Sequence, residues 1–234
     1  MSSSLTPSAF ASLAQSVEQL FCKQQVVESC SAGGSKGKKL LYIMVLQSHN
    51  SWSYLRPRKW WLRPFAFIAR CQSANIYEQY IYYGVRSFDL RVRFDGDGNI
   101  VIAHGYMEYD ISNEELMEHL KYINSHDCSI RVIHEVRNEK QYTKESIGRF
   151  RVLCAALQST FPNIKFYGGK NLYNHEVDYK FEYSPTEEGK YSSVCKPRII
   201  DDWFPWLFAR FNNKKILKEG SKYDIVSIDF VNIS

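Results

Sequence analysis

The chain has 234 residues, 44% hydrophobic and 24% charged, a composition that excludes a disordered or fibrous protein and allows one large buried core. No apolar run reaches the roughly 18 residues that a membrane-spanning helix requires, so any membrane attachment is expected to be peripheral. The net charge of +5 is too small to argue for nucleic acid, and none is expected as a partner. Met1-Ser2-Ser3-Ser4 lacks the basic start of a signal peptide, Glu18 interrupts the apolar stretch, and Ser2 stands where myristoylation needs glycine. A cytoplasmic setting follows as the expectation. The six cysteines, at positions 22, 30, 71, 128, 154 and 195, show no CxxC spacing and read as reduced thiols.

The pattern divides the chain at residue 39. Phe10, Leu13, Val17, Leu20 and Phe21 have helical spacing, and the small, basic stretch Ser31 to Lys39 reads as a linker, so residues 1–39 form an arm and 40–234 the main domain. Leu40 to Leu46 is a short continuous apolar run, predicting a strand buried on both faces in a parallel sheet covered by helices. The polar cluster Ser48-His49-Asn50-Ser51 then falls at the C-terminal end of that strand, where parallel sheets and barrels build their sites. Arg56 to Arg70 carries five basic residues among Trp60, Trp61, Phe65 and Phe67. Rings beside cations suit a membrane interface, with Trp60, Trp61, Phe65, Arg58 and Lys59 as contacts. The competing reading is a core helix with a solvated basic edge.

Gln72 to Tyr83 predicts a helix that Gly84 ends. Val85 to Val92 predicts a strand with Asp89 and Arg91 on one face. Asp95-Gly96-Asp97-Gly98-Asn99 reads as a hairpin turn leading into Ile100 to Ala103 and then His104-Gly105. Ser112 caps a helix to about Asn124, Ile130 to Val136 is a strand bearing His134 and Glu135, and Lys144 to Thr160 is an amphipathic helix before Pro162. Ile164 to Gly169 reads as a strand and turn, residues 171 to 198 resist assignment, Asp201 to Lys218 reads as a helix, and Ile225 to Val231 as a final strand.

Three strand ends therefore offer His49, His104, Asp89 and Arg91: a base, an acid and an anion clamp. A strand-borne Arg91 needs a partner, either Asp89 or a substrate phosphate, and a buried Asp229 wants a donor, for which His49 is the obvious choice. Glu135 or Arg137 points into the site, the register leaving the choice open. His119, His126 and His175 read as structural.

Taken in order, Ser48-His49-Asn50-Ser51, Gly84-Val85-Arg86-Ser87-Phe88-Asp89-Leu90-Arg91 and Ile102-Ala103-His104-Gly105 resemble the X domain of phosphatidylinositol-specific phospholipase C, in its bacterial, metal-independent form. The resemblance is dense over residues 40 to 105 and returns at Ile225 to Val231. It implies an α/β fold of the TIM-barrel type, trimmed because 234 residues are few for eight full strand-helix units. It also implies a phosphoric diester hydrolase acting on a membrane phospholipid, with phosphatidylinositol as substrate. His49 would be the general base, His104 the general acid, Arg91 the phosphate clamp and Asp229 the orienter of His49, with Asp89 beside them and Asn50, Glu135 and Arg137 contacting substrate.

One departure stands out. Bacterial members carry Asp after the first histidine, supporting the acid, and this chain has Asn50, as calcium-dependent eukaryotic members do. Those members need an acidic residue where this chain has Arg91, so neither a metal nor another cofactor is expected, and Glu135 is the substitute for orienting His104. A catalytically inactive barrel that binds phosphoinositides through Trp60 and Trp61 is the alternative. A metal-dependent glycerophosphodiesterase lacks its carboxylate cluster here. Nothing in the pattern specifies an oligomeric state.

Overall fold

Strand β1 (Val45–Ser48) stands between two parallel neighbours, β8 (Ile225–Ile228) and β2 (Ser87–Phe94). Strand β2 pairs in parallel with β5 (Ser129–His134), β5 with β6 (Lys165–Asn171), and β8 with β7 (Glu188–Lys190). The parallel order is thus β7-β8-β1-β2-β5-β6, and among the described residues β6 and β7 are not paired, so the sheet stays open there. The computed structural model describes residues 44–185, 188–190, 204–220 and 223–233, with the side chains of 188–190 excepted. The expected arm of residues 1–39, the start of the first strand and most of the 186–203 stretch lie outside the described residues.

Strand alternation explains the core. Phe88, Leu90 and Val92 stand beside Ile130, Val132 and His134 in register, on the face that meets the helices. With them in one apolar cluster lie Leu120 and Ile123 of α3 (Asn113–Asn124) and Phe150, Leu153, Cys154 and Leu157 of α4 (Lys144–Thr160). Each fully buried large side chain contributes about 1.5–3 kcal/mol. The other face of β2 carries Ser87, Asp89, Arg91 and Arg93. At the base of that inner face the Gln47 amide donates to Ser87 Oγ at 3.0 Å and to the Tyr167 hydroxyl.

Helix starts follow local capping chemistry. Thr143 accepts from the Ser146 N–H and Ser146 Oγ accepts from the Thr143 N–H, opening α4 where the sequence predicts it. Ser112 caps α3 from one side only, its Oγ accepting from the Glu115 N–H at 3.0 Å. Helix α2 (Ile76–Ile81) is shorter than the predicted Gln72 to Tyr83, because Asn75 and Glu78 form a capping box and the Gln72 side chain is committed elsewhere. Helix α5 (Pro205–Glu219) starts on Pro205, and α1 (Ala66–Ala69) continues a 3₁₀ turn, Trp60–Phe65. No described helix is long and apolar enough to cross a membrane.

One strand prediction holds and one changes. The hairpin at Asp95 forms, the Asp95 carboxylate accepting from the Asp97 and Asn99 N–H groups, and β3 (Ile100–His104) returns antiparallel to β2. His104 therefore reaches the sheet mouth by doubling back, and a short β4 (Met107–Glu108) follows it. Gly168 and Gly169 do not form a turn. Strand β6 runs through them to Asn171 with a register shift opposite Val132 and Ile133, both glycines having positive φ. A Cβ on Gly169 would sit 1.9 Å from the Tyr179 carbonyl oxygen, so glycine is required.

Candidate active site

Four strand ends meet at one mouth. His49 follows β1, Asp229 follows β8, Glu135 follows β5, and Arg91 lies midway along β2, level with Ile133 near the end of β5. The main chain is tied across them: His49 N–H donates to the Ile228 carbonyl at 2.9 Å, Ser51 N–H to the Asp89 carbonyl at 3.1 Å, and Glu135 N–H to the Val92 carbonyl at 2.7 Å. Gln72, fully buried, donates to the carbonyls of both His49 and Ile228 and accepts from the Val231 N–H. The sequence offered no sign of that clamp, since a glutamine after a cysteine has no pattern of its own.

His49 and Asp229 face each other, the imidazole Nδ1 lying 2.7 Å from Asp229 Oδ1. A carboxylate only accepts, so Nδ1 carries the proton. The lone pair on Nε2 then meets an Arg91 Nη2–H donor at 2.6 Å. Arg91 in turn donates through Nε to Asp89 Oδ2 at 2.9 Å and pairs through Nη1 with Glu135 Oε2 at 3.6 Å. Asp89 and Glu135 are wholly buried. Burial pushes the Asp89 carboxyl up, but Arg91, Arg131 and His49 more than offset it, and it stays below the usual carboxylate range. Glu135 is also held low, burial being outweighed by Arg91, His104 and the Gly105 N–H. Burial works against the Arg91 charge, yet Asp89 and Glu135 raise its affinity for the proton further still.

That guanidinium stands where a cation between Asp89 and Glu135 would have to sit. A divalent ion does not fit there, because it would meet a fixed positive charge in direct contact with both carboxylates.

The His104 ring lies edge-on to His49, with centroids 5.9 Å apart. Its Nδ1–H donates to the Ala69 carbonyl at 2.9 Å, and the Tyr109 hydroxyl donates to the same oxygen at 3.0 Å. The expected role of Glu135 as orienter of His104 is therefore corrected: a main-chain carbonyl does this, and Glu135 acts one residue on by accepting from the Gly105 N–H at 2.8 Å. Burial first, and then Arg91, hold His104 down to about 4, so in the unliganded protein it is neutral at pH 7.

The remaining predicted residues fall into place around this centre. Asn50 is buried with φ +47, its N–H donating to Asp89 at 3.0 Å and its side-chain amide without a hydrogen-bond partner. Arg137, half exposed, donates through Nε and Nη2 to Glu135 Oε1. His134 belongs to the core, stacked on Phe150 and donating to Asp178 at 2.7 Å. His119 accepts from the Trp52 indole at 3.3 Å, a structural contact as the sequence suggests.

The rings of the basic aromatic stretch lie outside the core. No residue of the 3₁₀ turn Trp60–Phe65 is buried, and Trp60 and Trp61 are 71% and 54% exposed. Arg58 pairs with Asp95 at 3.2 Å, while Lys59 is exposed. Phe67 stacks on Phe204 at 5.9 Å, joining this surface to the start of α5, where Trp206 and Phe211 are also exposed. The sequence reading missed that second half, because α5 is aromatic on several sides and its exposed face shows no separate pattern.

No protein-family model matches the chain, and no curated protein sequence does. Solved structures do match. The phosphatidylinositol-specific phospholipase C from Listeria monocytogenes superposes over 81% of this chain and 89% of its own, with a TM-score of 0.52 at 12% identity. A mutant of the phosphatidylinositol-specific phospholipase C from Staphylococcus aureus superposes over 84% of this chain and 88% of its own, with a TM-score of 0.53 at 15% identity. Similarity at this identity is a statement about fold: the chain has a TIM-barrel-like α/β architecture with an open, irregular sheet.

Proposed function

We propose that this protein is a phosphoric diester hydrolase of the phosphatidylinositol-specific phospholipase C type, acting without a metal on phosphatidylinositol in a membrane. The observation that carries the reading is the tautomer of His49. With Nδ1–H committed to Asp229, the Nε2 lone pair faces the guanidinium that would hold a phosphate, which is the geometry a general base needs.

In this reading the phosphodiester anion takes over the Arg91 Nη2 donor now turned to His49. His49 Nε2 removes the proton from the inositol 2-hydroxyl, and that oxygen attacks phosphorus. Arg91 neutralises the charge that builds on the phosphoryl oxygens. Protonated His104 gives its proton to the diacylglycerol oxygen as the phosphorus-oxygen bond breaks, leaving a cyclic inositol phosphate. An anion beside Arg91 cancels the positive field that depresses His104 and so favours its acidic form.

The exposed rings of Trp60, Trp61, Phe65 and Phe67, continued by Phe204 and Trp206, support docking of this rim on a lipid surface, with Lys59 and Arg58 adding attraction to anionic lipid. The deciding experiment is headgroup release from phosphatidylinositol vesicles with and without chelator, comparing wild type with His49→Ala. Release that resists chelator and falls by about 10²-fold or more in the variant supports the reading. Binding to vesicles with no release from either protein makes the barrel a lipid-binding module instead.

A further inference from the structure

Cys71 is a buried group beside the His49 and Asp229 pair that the proposed chemistry does not use. Its Sγ, a His49 ring nitrogen and an Asp229 carboxylate oxygen all lie within 4.8 Å of one another. The sulfur is also 3.9 Å from His104 Nδ1. Its position is held by the main chain: Cys71 N–H donates to Ser53 Oγ at 2.9 Å, and Phe230 N–H donates to the Cys71 carbonyl at 2.6 Å. The neighbouring Gln72 ties the ends of β1 and β8 together, so the three donors come from three segments already locked to one another.

Thiolate, imidazole and carboxylate are the donors that tetrahedral zinc takes, at about 2.0–2.3 Å from the ion and so roughly 3.5 Å from each other. Binding opens the 2.7 Å His49–Asp229 contact and draws the sulfur inward, shifts of about an ångström each. The thiolate selects for zinc or cadmium over magnesium or calcium.

We propose that His49, Cys71 and Asp229 form a binding site for a thiophilic divalent cation of the zinc class, and that its occupancy switches off hydrolysis. The inhibitory half rests on His49 being the base; the metal site does not. On binding, the Cys71 S–H bond is replaced by a sulfur-metal bond and the proton leaves to solvent. The ion takes the Nδ1 lone pair, so the imidazole proton moves to Nε2. A His49 with Nε2–H has no lone pair for the substrate hydroxyl and points a donor at the Arg91 donor it now accepts from. Turnover number falls, and chelator restores it.

The test is a Cd²⁺ titration of the full-length protein, followed by the sulfur-to-cadmium charge-transfer absorbance. Wild type should show one equivalent of the band, undisturbed by excess Mg²⁺ or Ca²⁺. Cys71→Ser should lose it, and Asp229→Asn should weaken affinity by about 10-fold or more. Cys22, Cys30, Cys128, Cys154 and Cys195 remain in the serine variant, so a band that survives there undiminished comes from them and overturns the proposal. Absence of the band from wild type overturns it as well. Melting by circular dichroism accompanies each variant, with Cys71→Ala in place of a serine variant that does not fold. A protein that shows the band but releases no headgroup keeps the metal site and loses the hydrolase reading. One that releases headgroup and shows no band loses the metal site alone.

Discussion

His49 and Asp229, 180 residues apart in sequence, meet at 2.7 Å at the ends of adjacent parallel strands. Because this contact fixes which nitrogen holds the proton, Asp229→Asn should lower turnover by about 10²–10⁴-fold, an amide being able to present a donor to Nδ1 and stabilise the wrong tautomer. KM for phosphatidylinositol should change little, since the substituted side chain does not face the Arg91 clamp. A kcat effect smaller than threefold in steady-state kinetics would contradict the assigned role.

Arg91 separates two buried carboxylates, so its removal has a structural cost beyond catalysis. Arg91→Ala should lower stability by about 3–5 kcal/mol, the usual penalty for leaving buried charges uncompensated. Arg91→Lys keeps the charge and should recover most of that stability while losing the two-pronged phosphate contact and hence the rate. Urea denaturation beside vesicle turnover separates the two effects, and parallel recovery of both in the lysine variant would argue against a bidentate clamp.

His104 predicts a pH dependence with a definite sign. Its proton affinity is lowered from the ordinary 6.5 to about 4 in the folded protein, so between those values the unfolded chain binds more protons than the folded one. Stability should therefore fall as pH drops from 6.5 toward 4, and His104→Asn should reduce that slope, the remainder coming from His119 and His134, which burial also holds low. Asp89 and Glu135, both held low, add a loss of the same sign that begins at about pH 5 and deepens toward more acid pH. Titration of the His104 ring by NMR should show a low midpoint that rises when an inositol phosphate is added. A midpoint near 6.5 in the free protein would remove the basis for both expectations.

Trp60 and Trp61 can be tested as rim residues. Exposed as they are, replacing both by Ala should cost no more than about 0.5 kcal/mol each. Vesicle binding and vesicle turnover should fall, hydrolysis of a soluble short-chain substrate should hold, and high salt should weaken binding to anionic vesicles. Loss of soluble-substrate activity together with a large drop in melting temperature would place the indoles in the core.

Much of this was legible in residues whose pattern and role coincide. Helix α4 has its predicted ends because Phe150, Leu153, Cys154 and Leu157 repeat at helical spacing between a capping threonine and Pro162. Asp89 and Arg91 were readable as partners because two residues apart on a strand means one face. The orienter of His104 was not readable, since a main-chain carbonyl at Ala69 has no residue identity to betray it. Cys71 was equally silent, its placement depending on how the loop after α1 folds back onto the ends of β1 and β8. The Gly168 and Gly169 pair misled because the same two residues that make turns also make room for a neighbouring backbone in a bulged strand.

The antiparallel return of β3 puts the two histidines on different mechanical mounts. His49 is welded to the parallel sheet by Gln72 and Ile228, whereas His104 rides a two-stranded flap held by the Val92 and Ile102 register, by Arg93 donating to the Gly105 carbonyl, and by Glu135 receiving the Gly105 N–H. Damage to the flap, such as a lengthened Asp95 turn, displaces the proton donor and leaves the attacking side of the reaction in register. A phosphodiester whose departing group is already a stable phenolate needs no donor. It should be cleaved at nearly full speed by a flap-damaged protein that has become inert toward a lipid alkoxide.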